Sequence, residues 1–272
     1  MFLPVSERTL PGEFTLTIFD VGQGLAVLTE TQNQTLLYDT GAGLDAQNNV
    51  ANSSIIPFLR KRNIRSLSAL VISHGDNDHS GGAAAVLKEV QVRKIFISGS
   101  VEIESAIAEL CEEKVKWEWD GVKFQFLNQS GSFDYRNSNN GSCVLKVSGV
   151  GGSVLLPGDI EAEAEYDLSA HYKELLASTV LIAPHHGSKT SSSYAFIKRV
   201  LPEQVVYSAA YKSQFGHPAV EIQEKYLSYK AVGYSTAELG MISFEFRQDN
   251  TASGVSSFRR QHPRYWRHQA FP

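Results

Sequence analysis

Two histidines and two carboxylates fall within six residues in the stretch Ser73-His74-Gly75-Asp76-Asn77-Asp78-His79-Ser80-Gly81-Gly82. Neutral imidazole and ionised carboxylate are the usual nitrogen and oxygen ligands of divalent metals, and alternate positions on a tight loop can face two neighbouring ions. The stretch reads as a metal-binding loop. Read instead as a polar turn, it would leave four ligand-type side chains crowded together without a task. Acids or imidazoles recur where other apolar runs stop, at Asp39-Thr40-Gly41, Pro157-Gly158-Asp159 and Pro184-His185-His186-Gly187-Ser188, and Gly216-His217-Pro218 adds one more histidine.

The elements around these residues must bring them together. Ala69-Leu70-Val71-Ile72 runs directly into the loop, and an apolar run of that length bounded by turn residues reads as a buried strand. Loops leaving strand ends are where layered α/β folds usually build sites. Residues 14–19, 25–31 and 35–39 alternate as an antiparallel meander ending at Asp39, and Asn52-Ser53-Ser54 can cap a helix from about residue 55. Residues 83–90 are expected to be helical and 94–98 a strand, and a second helix is expected over 102–113 from the stripe Ile103, Ile107, Leu110. A hairpin, 115–119 with 122–127, turns at Asp120-Gly121, and the polar residues 128–141 read as a loop. Strands at 143–147, 153–156, 179–183, 204–209, 232–235 and 241–246 follow, with helices at 161–176, 192–201 and 219–229. Four strand ends thus deliver Asp39, the His74 to His79 loop, Asp159 and His185-His186. Two sheets sandwiched between helices would bring such ends to one edge.

At 272 residues and 42% hydrophobic content, the chain reads as one large α/β domain over residues 14–250, with an extension at 1–13 and a tail at 251–272. No stretch approaches the roughly 18 consecutive apolar residues of a membrane helix, and residues 1–13 lack the pattern of a signal peptide, so the chain is expected to be soluble as given. Cys111 and Cys143 are far apart and lack metal-type spacing, so both are expected to be plain core residues. A net charge of −4 excludes bulk coating of nucleic acid. Its distribution is uneven: Arg259, Arg260, Arg264 and Arg267 interleave with Tyr265 and Trp266 in the tail, which suits phosphate contact and base stacking or, equally, a solvated or membrane-resting end. A second basic cluster, Arg60-Lys61-Arg62 with Arg65, reads as the exposed end of a helix.

In chain order, Asp20-Val21-Gly22-Gln23-Gly24, Asp39-Thr40-Gly41, the His74 to Gly82 loop, Pro157-Gly158-Asp159, His185-His186-Gly187-Ser188 and Gly216-His217-Pro218 resemble the metallo-β-lactamase-like domain at the C-terminus of the ComEC family. That family comprises the inner-membrane DNA-uptake channels of naturally competent bacteria. The resemblance spans residue 14 to about residue 246 and implies an αββα sandwich, two mixed β-sheets between helical layers, with a dinuclear site. Carried over by position, it implies Asp78, His79 and His185 as ligands of one metal, His74 and Asp76 as ligands of the other, and Asp159 as a bridge between them. Asp39 falls where the fold holds an acid that orients the loop. His186 competes with His185 for the ligand role or hydrogen-bonds a phosphate.

The chain departs from the commoner pattern in two places. Asp76 stands where many members carry a second histidine, and no histidine occurs between His79 and His171, so the third histidine of the first metal is missing. Asn139, Asn140 or Ser142 can substitute, or water does. An oxygen-rich site of this kind favours manganese, with zinc or magnesium as alternatives.

Two metals about 3.5–4 Å apart make a water nucleophilic at neutral pH and polarise a phosphoryl oxygen, so no Ser or Cys nucleophile is required. His217 is then the expected proton donor to the leaving oxygen, or simply a turn histidine. Ser188 and Lys189 would meet a non-bridging phosphate oxygen, unless Lys189 only faces solvent. Gly22 and Gly24 serve turn geometry, since no helix opens after them to make a phosphate loop. The resemblance implies a metal-dependent phosphodiesterase that acts on DNA and degrades the strand that does not enter the cell, on the extracytoplasmic face of a membrane channel carried by the same protein. The alternatives are another hydrolase of the fold, acting on phosphocholine esters, lactams or thioesters, and a non-catalytic module that binds DNA or docks on the channel.

Overall fold

Apolar runs such as Ala69-Leu70-Val71-Ile72 have no face fit for water, and the fold buries both of their faces. The structure, a computed structural model, describes residues 9–103, 105–128, 138–248 and 252–262. The chain opens with β1 (Phe14–Ile18), β2 (Val27–Glu30) and β3 (Thr35–Tyr38), followed by α1 (Ile56–Lys61), β4 (Ser66–Leu67), β5 (Ala69–Ile72), α2 (Asn77–Ser80), α3 (Ala83–Glu89), β6 (Gln91–Val92), β7 (Ile95–Ile97) and β8 (Ala108–Leu110). The second half runs β9 (Lys116–Trp119), β10 (Val122–Phe126), β11 (Leu145–Gly149), β12 (Gly152–Leu156), α4 (Ala162–Tyr172), β13 (Val180–Ile182), α5 (Tyr194–Val200), β14 (Gln204–Tyr207), α6 (Val220–Ser228), β15 (Val232–Ser235), α7 (Thr236–Leu239), β16 (Ile242–Phe246), β17 (Ala252–Ser257) and α8 (Phe258–Gln261).

These strands make two large mixed sheets, in the orders β17-β16-β1-β2-β3-β5-β7-β8 and β15-β14-β13-β12-β11-β10-β9, with β4 and β6 as a small parallel ribbon. Alternate side chains divide between layers, as the pleat requires. Leu36, Tyr38, Ala69 and Val71 enter the core between the sheets, together with Phe124, Val147, Val154 and Val180 of the second sheet. Leu37, Leu70 and Ile72 face α1 and α3, while Leu155, Leu181 and Val205 face α4, α5 and α6. The result is an αββα sandwich, as the sequence implied. Among the described residues no helix is long and apolar enough to cross a membrane.

Four expectations need correction. Residues 102–113 hold no helix among those described. Instead β8 adds to the edge of β7, with Ile95 N–H donating to the Ile107 carbonyl and Cys111 N–H to the Ile97 carbonyl, and Ile107 and Leu110 stay exposed. An open sheet edge satisfies backbone groups that an isolated three-turn helix would leave to its own weak propensity. The reason the chain stays extended there is tied to the second correction. Cys111 and Cys143 are not separate core thiols but a disulfide that joins the end of β8 to the segment before β11. A single bridge over such a separation has no spacing signature.

Third, the sheet does not end at Phe246, because β17 pairs with β16 and α8 follows it inside what the sequence presented as a tail. Arg259 is pinned there to Asp20 at 2.6 Å and donates to the Thr236 carbonyl, whereas Arg264, Tyr265, Trp266, Arg267 and His268 lie outside the described residues. Fourth, the helix at α1 starts earlier than residue 55, as a π-helical turn over Ala51–Ile55, because the Asn49 side chain accepts the Asn52 N–H at 2.9 Å.

Candidate metal centre

Parallel pairing decides where the chemistry gathers. β3 and β5 run parallel in the first sheet, β12 and β13 in the second, so all four C-terminal ends reach the same edge of the sandwich. From the end of β3, Asp39 accepts three hydrogen bonds at 2.7 Å, from the Ser73 N–H, the Ser73 hydroxyl and His79 Nδ1. It fixes the loop and the ring orientation of His79. α2 is a single helical turn that presents Asp78 and His79 on consecutive positions, and Gly24, at φ 131°, lies so close beneath it that a Cβ would strike the Asp78 carbonyl.

The tautomers follow from the acceptors. Ser73 Oγ gives its proton to Asp39, so His74 Nδ1, 3.0 Å from that oxygen, donates to it. His79 Nδ1 donates to the Asp39 carboxylate. His186 Nδ1 donates to the Ser208 carbonyl at 2.8 Å, since a carbonyl can only accept. All three rings therefore donate from Nδ1 and turn Nε2 inward. His74 Nε2 is fully buried without a hydrogen-bond partner, and Asp76 is 3.7 Å away. His79 Nε2 and His186 Nε2 face each other at 3.2 Å. Two lone pairs at that distance repel unless a proton or a metal cation lies between them or beside them.

Carboxylates close the arrangement. Asp159 Oδ1 lies 3.1 Å from His79 Nε2 and its Oδ2 lies 3.3 Å from His186 Nε2, while Asp78 Oδ2 is 3.3 Å from the same His186 nitrogen. Two sets of donors result, His74, His79 and Asp159 in one and Asp78, His79 and His186 in the other, each with its ligand atoms within 4.8 Å of one another. An orphaned buried imidazole nitrogen, two opposed lone pairs and acidic oxygens on both sides fit a pair of divalent cations.

The charges agree. Burial works against charge on His79, yet Asp159 and then Asp39 hold its ring well above the usual imidazole range. Burial likewise opposes charge on His186, and Asp159 and Asp78 outweigh it and push the ring up to about 9. Asp159, despite a burial that favours its neutral form, is held well below the carboxylate range by His186 and His79. Asp78 is lowered too, since His186 and His79 more than offset its burial. Each carboxylate is thus ionised and demands positive charge from the middle of the site.

Of the paired histidines, His186 is the one brought into the cluster. Both residues, with Gly187, take left-handed backbone angles, φ 48° and 57° for the histidines, a strained turn of the kind held at functional sites. The turn buries His186 and leaves His185 at the rim, its Nε2 3.8 Å from Asp159 and its Nδ1 near Thr190 Oγ1 at 3.1 Å and Glu161 at 3.4 Å. Asn140 and Ser142 are committed elsewhere: Asn140 accepts the Glu161 N–H at 2.9 Å and Ser142 Oγ accepts the Asp159 N–H at 3.1 Å, so both hold the Asp159 turn. Ser188 Oγ pairs with Thr190, and Lys189 is drawn out to Glu221 at 3.2 Å on the surface. His217 sits at the mouth, its ring 5.7 Å from that of His185 and 6.3 Å from that of His186, with Gln23 Nε2 3.4 Å from its Nδ1. Burial first, and then the nearby His186 and His185 rings, bring His217 down to about 4, so it is a neutral ring at physiological pH. Sequence reasoning passed over Ser73, Ser208 and Gln23. Ser73 had a signal in its place directly before His74 and Gln23 in its place within the Asp20 to Gly24 motif, whereas Ser208 had none.

The family model of the metallo-beta-lactamase superfamily matches residues 19–210. Among curated proteins, the chain is 36% identical to competence protein ComA of Neisseria gonorrhoeae over 97% of its own length and 36% of that protein. It is 34% identical to recombination protein 2 of Haemophilus influenzae over 85% of this chain and 28% of that protein. ComE operon protein 3 of Bacillus subtilis is 28% identical over 91% of this chain and 35% of that protein. The chain thus spans about a third of the length of the curated relatives it matches. Among solved structures, the metallo-beta-lactamase fold protein YhfI from Bacillus subtilis superposes with a TM-score of 0.56 at 10% identity, covering 85% of this chain and 99% of that one. Igni18, a metallo hydrolase from Ignicoccus hospitalis, gives 0.54 at 16% identity, covering 86% of this chain and 100% of that one. With the αββα layers, the convergent strand ends and a family match over most of its length, this chain belongs to the metallo-beta-lactamase superfamily.

Proposed function

We propose that this chain is a metal-dependent phosphodiesterase that hydrolyses DNA during DNA uptake. The observation that carries the reading is the convergence of His74, His79, His186, Asp78 and Asp159 from separate strand ends on one edge. The names of the relatives, competence and recombination proteins, direct it toward DNA. Asp78, His79 and His186 would hold one divalent cation, His74, Asp76 and Asp159 the other, with Asp159 shared and manganese favoured by the oxygen share of the donors. Cations there would supply Lewis acidity toward a phosphoryl oxygen and ready a water for in-line attack.

The chain's own groups do the rest. Asp39 and the Ser208 carbonyl orient His79 and His186. His217, neutral and accepting from Gln23 at Nδ1, offers its Nε2–H to a phosphate oxygen. An anionic phosphate beside it would raise its pKa and bring it toward proton transfer to the leaving oxygen, the role expected from the sequence. His185 at the rim is a second donor to substrate.

The Cys111–Cys143 disulfide supports an extracytoplasmic site of action, because such bridges persist in oxidising compartments. One observation favours a second reading, a non-catalytic module that docks DNA: the cation at His74, Asp76 and Asp159 would have a single imidazole, His74, with Asp76 half exposed. A nuclease assay with labelled DNA, with and without manganese, separates the two. Manganese-dependent cleavage by the native chain that Asp78→Ala abolishes supports the enzyme, and equal DNA loss with both proteins would point to contamination and remove the support.

A further inference from the structure

Beyond His217, away from the metal cluster, a cleft of about 440 Å³ opens between the Ala210 to His217 loop, α6 and β15. Its walls include Tyr207, Tyr211, Tyr234, Lys212, Glu238 and His217 itself, so one side chain borders both the cluster and the cleft. The size falls in the range of about 300–1,000 Å³ that holds small organic groups. The same loop exposes two aromatic rings to solvent, Tyr211 at 61% and Phe215 at 60%, although nothing in the core calls for either. Phe215 lies 5.8 Å from His217, ring to ring, continuing the line from His186 through His217 outward. Lys212 Nζ hangs 5.4 Å over the Tyr211 ring.

Flat rings beside a cation, next to a site built for phosphate, match the two halves of a nucleotide. Aromatic faces stack on any base, and a lysine beside them meets the backbone charge. Glu238 adds a carboxylate acceptor suited to a base's amino group.

Resting on the phosphodiesterase reading for the neighbouring centre, we propose that this cleft is a nucleobase subsite that receives one unpaired base of a single-stranded nucleic acid, with Tyr211 as its stacking face. A base within a duplex is stacked and paired and cannot enter, so the subsite selects single strands or frayed ends.

The test uses the full chain without added metal and two labelled oligomers of equal length, one of deoxycytidine and one of the abasic tetrahydrofuran analogue, with binding read by fluorescence anisotropy. Native protein is expected to prefer the base-bearing strand, and Tyr211→Ala is expected to shrink that preference about 5–150-fold, the range for loss of one stacked base. Thermal melting checks that the variant is folded; should it not be, Tyr211→Leu, which keeps bulk without a π face, takes its place. Equal binding of the two oligomers by native protein overturns the subsite, as does a folded variant that keeps the full preference. Cleavage of the abasic oligomer by native protein with manganese reports on the metal centre alone. Base preference without cleavage of either strand would therefore sustain the subsite while contradicting the phosphodiesterase.

Discussion

Three imidazoles donate from Nδ1 into fixed acceptors and direct Nε2 toward the place of a cation, and this division of labour is set by Ser73, Asp39 and the Ser208 carbonyl. His186→Ala should therefore weaken manganese or zinc binding by at least about 100-fold, while His185→Ala should cost only a few-fold, both read by calorimetric titration; Asp39→Ala, which frees the His79 ring without removing a ligand, should fall between at about 10–100-fold. The pH dependence has a definite sign. In the metal-free protein the His186 ring is raised to about 9, so at neutral pH a cation must displace a proton to bind. Apparent affinity should rise as pH increases from 6 toward about 9 and then level, and titrations in buffers of different ionisation enthalpy should detect the released proton. The same raised pKa means that His186 stabilises the metal-free fold most fully below the ordinary imidazole value of about 6.5 and loses that contribution as pH climbs through about 9. At this scale the sequence was informative about residue types and vague about geometry. The His74 to His79 spacing carried the ligands, but adjacent His185 and His186 differ only through the left-handed turn that buries one of them, and no spacing rule encodes it.

Strand ends position the site, and the strands themselves were legible because their apolar runs admit no other placement, as in Ala69–Ile72 and Val180–Ile182. The segment before Cys111 was not legible. Ile103, Ile107 and Leu110 satisfy a helical stripe, yet sheet-edge pairing and a covalent bond to Cys143 outweigh so weak a local preference. Cys143 also donates its N–H to the Ser73 carbonyl at 2.8 Å, and Tyr38 Oη donates across the sheets to the Cys143 carbonyl, so the bridge lies one residue from the metal loop. Cys143→Ser should lower stability in urea unfolding by about 3–4 kcal/mol, the entropy of a closed loop of this size, and native protein with reductant should shift by the same amount. A second element test concerns Lys146, whose ammonium is buried against the Leu175 carbonyl and Ser178 without an acid, and burial brings it down to about 8. Its folded pKa lies below the unfolded value of about 10.5, so the unfolded chain holds the extra proton and stability should rise between pH 8 and 10.5. Lys146→Met should flatten that rise.

Over the whole molecule, the first half builds one sheet, which β16 and β17 from the C-terminal end complete, the second half builds the other, and each half adds a helical layer and part of the donor set, so neither holds the site alone. The order of layers followed from alternating strands and helices. The C-terminal closure did not, because β17 is rich in Ser and Gly and carries little hydrophobic pattern. Arg259 on α8 ties that end to Asp20 in the Asp20 to Gly24 loop, whose Gln23 touches His217. The measurement that tests the account most directly is anomalous diffraction from crystals of this chain soaked in manganese. The account predicts strong peaks within coordination distance, about 2.0–2.3 Å, of His79 Nε2 or His186 Nε2 and of Asp159. Well-ordered His79, Asp159 and His186 side chains with no peak among them, or peaks only elsewhere on the surface, would contradict it.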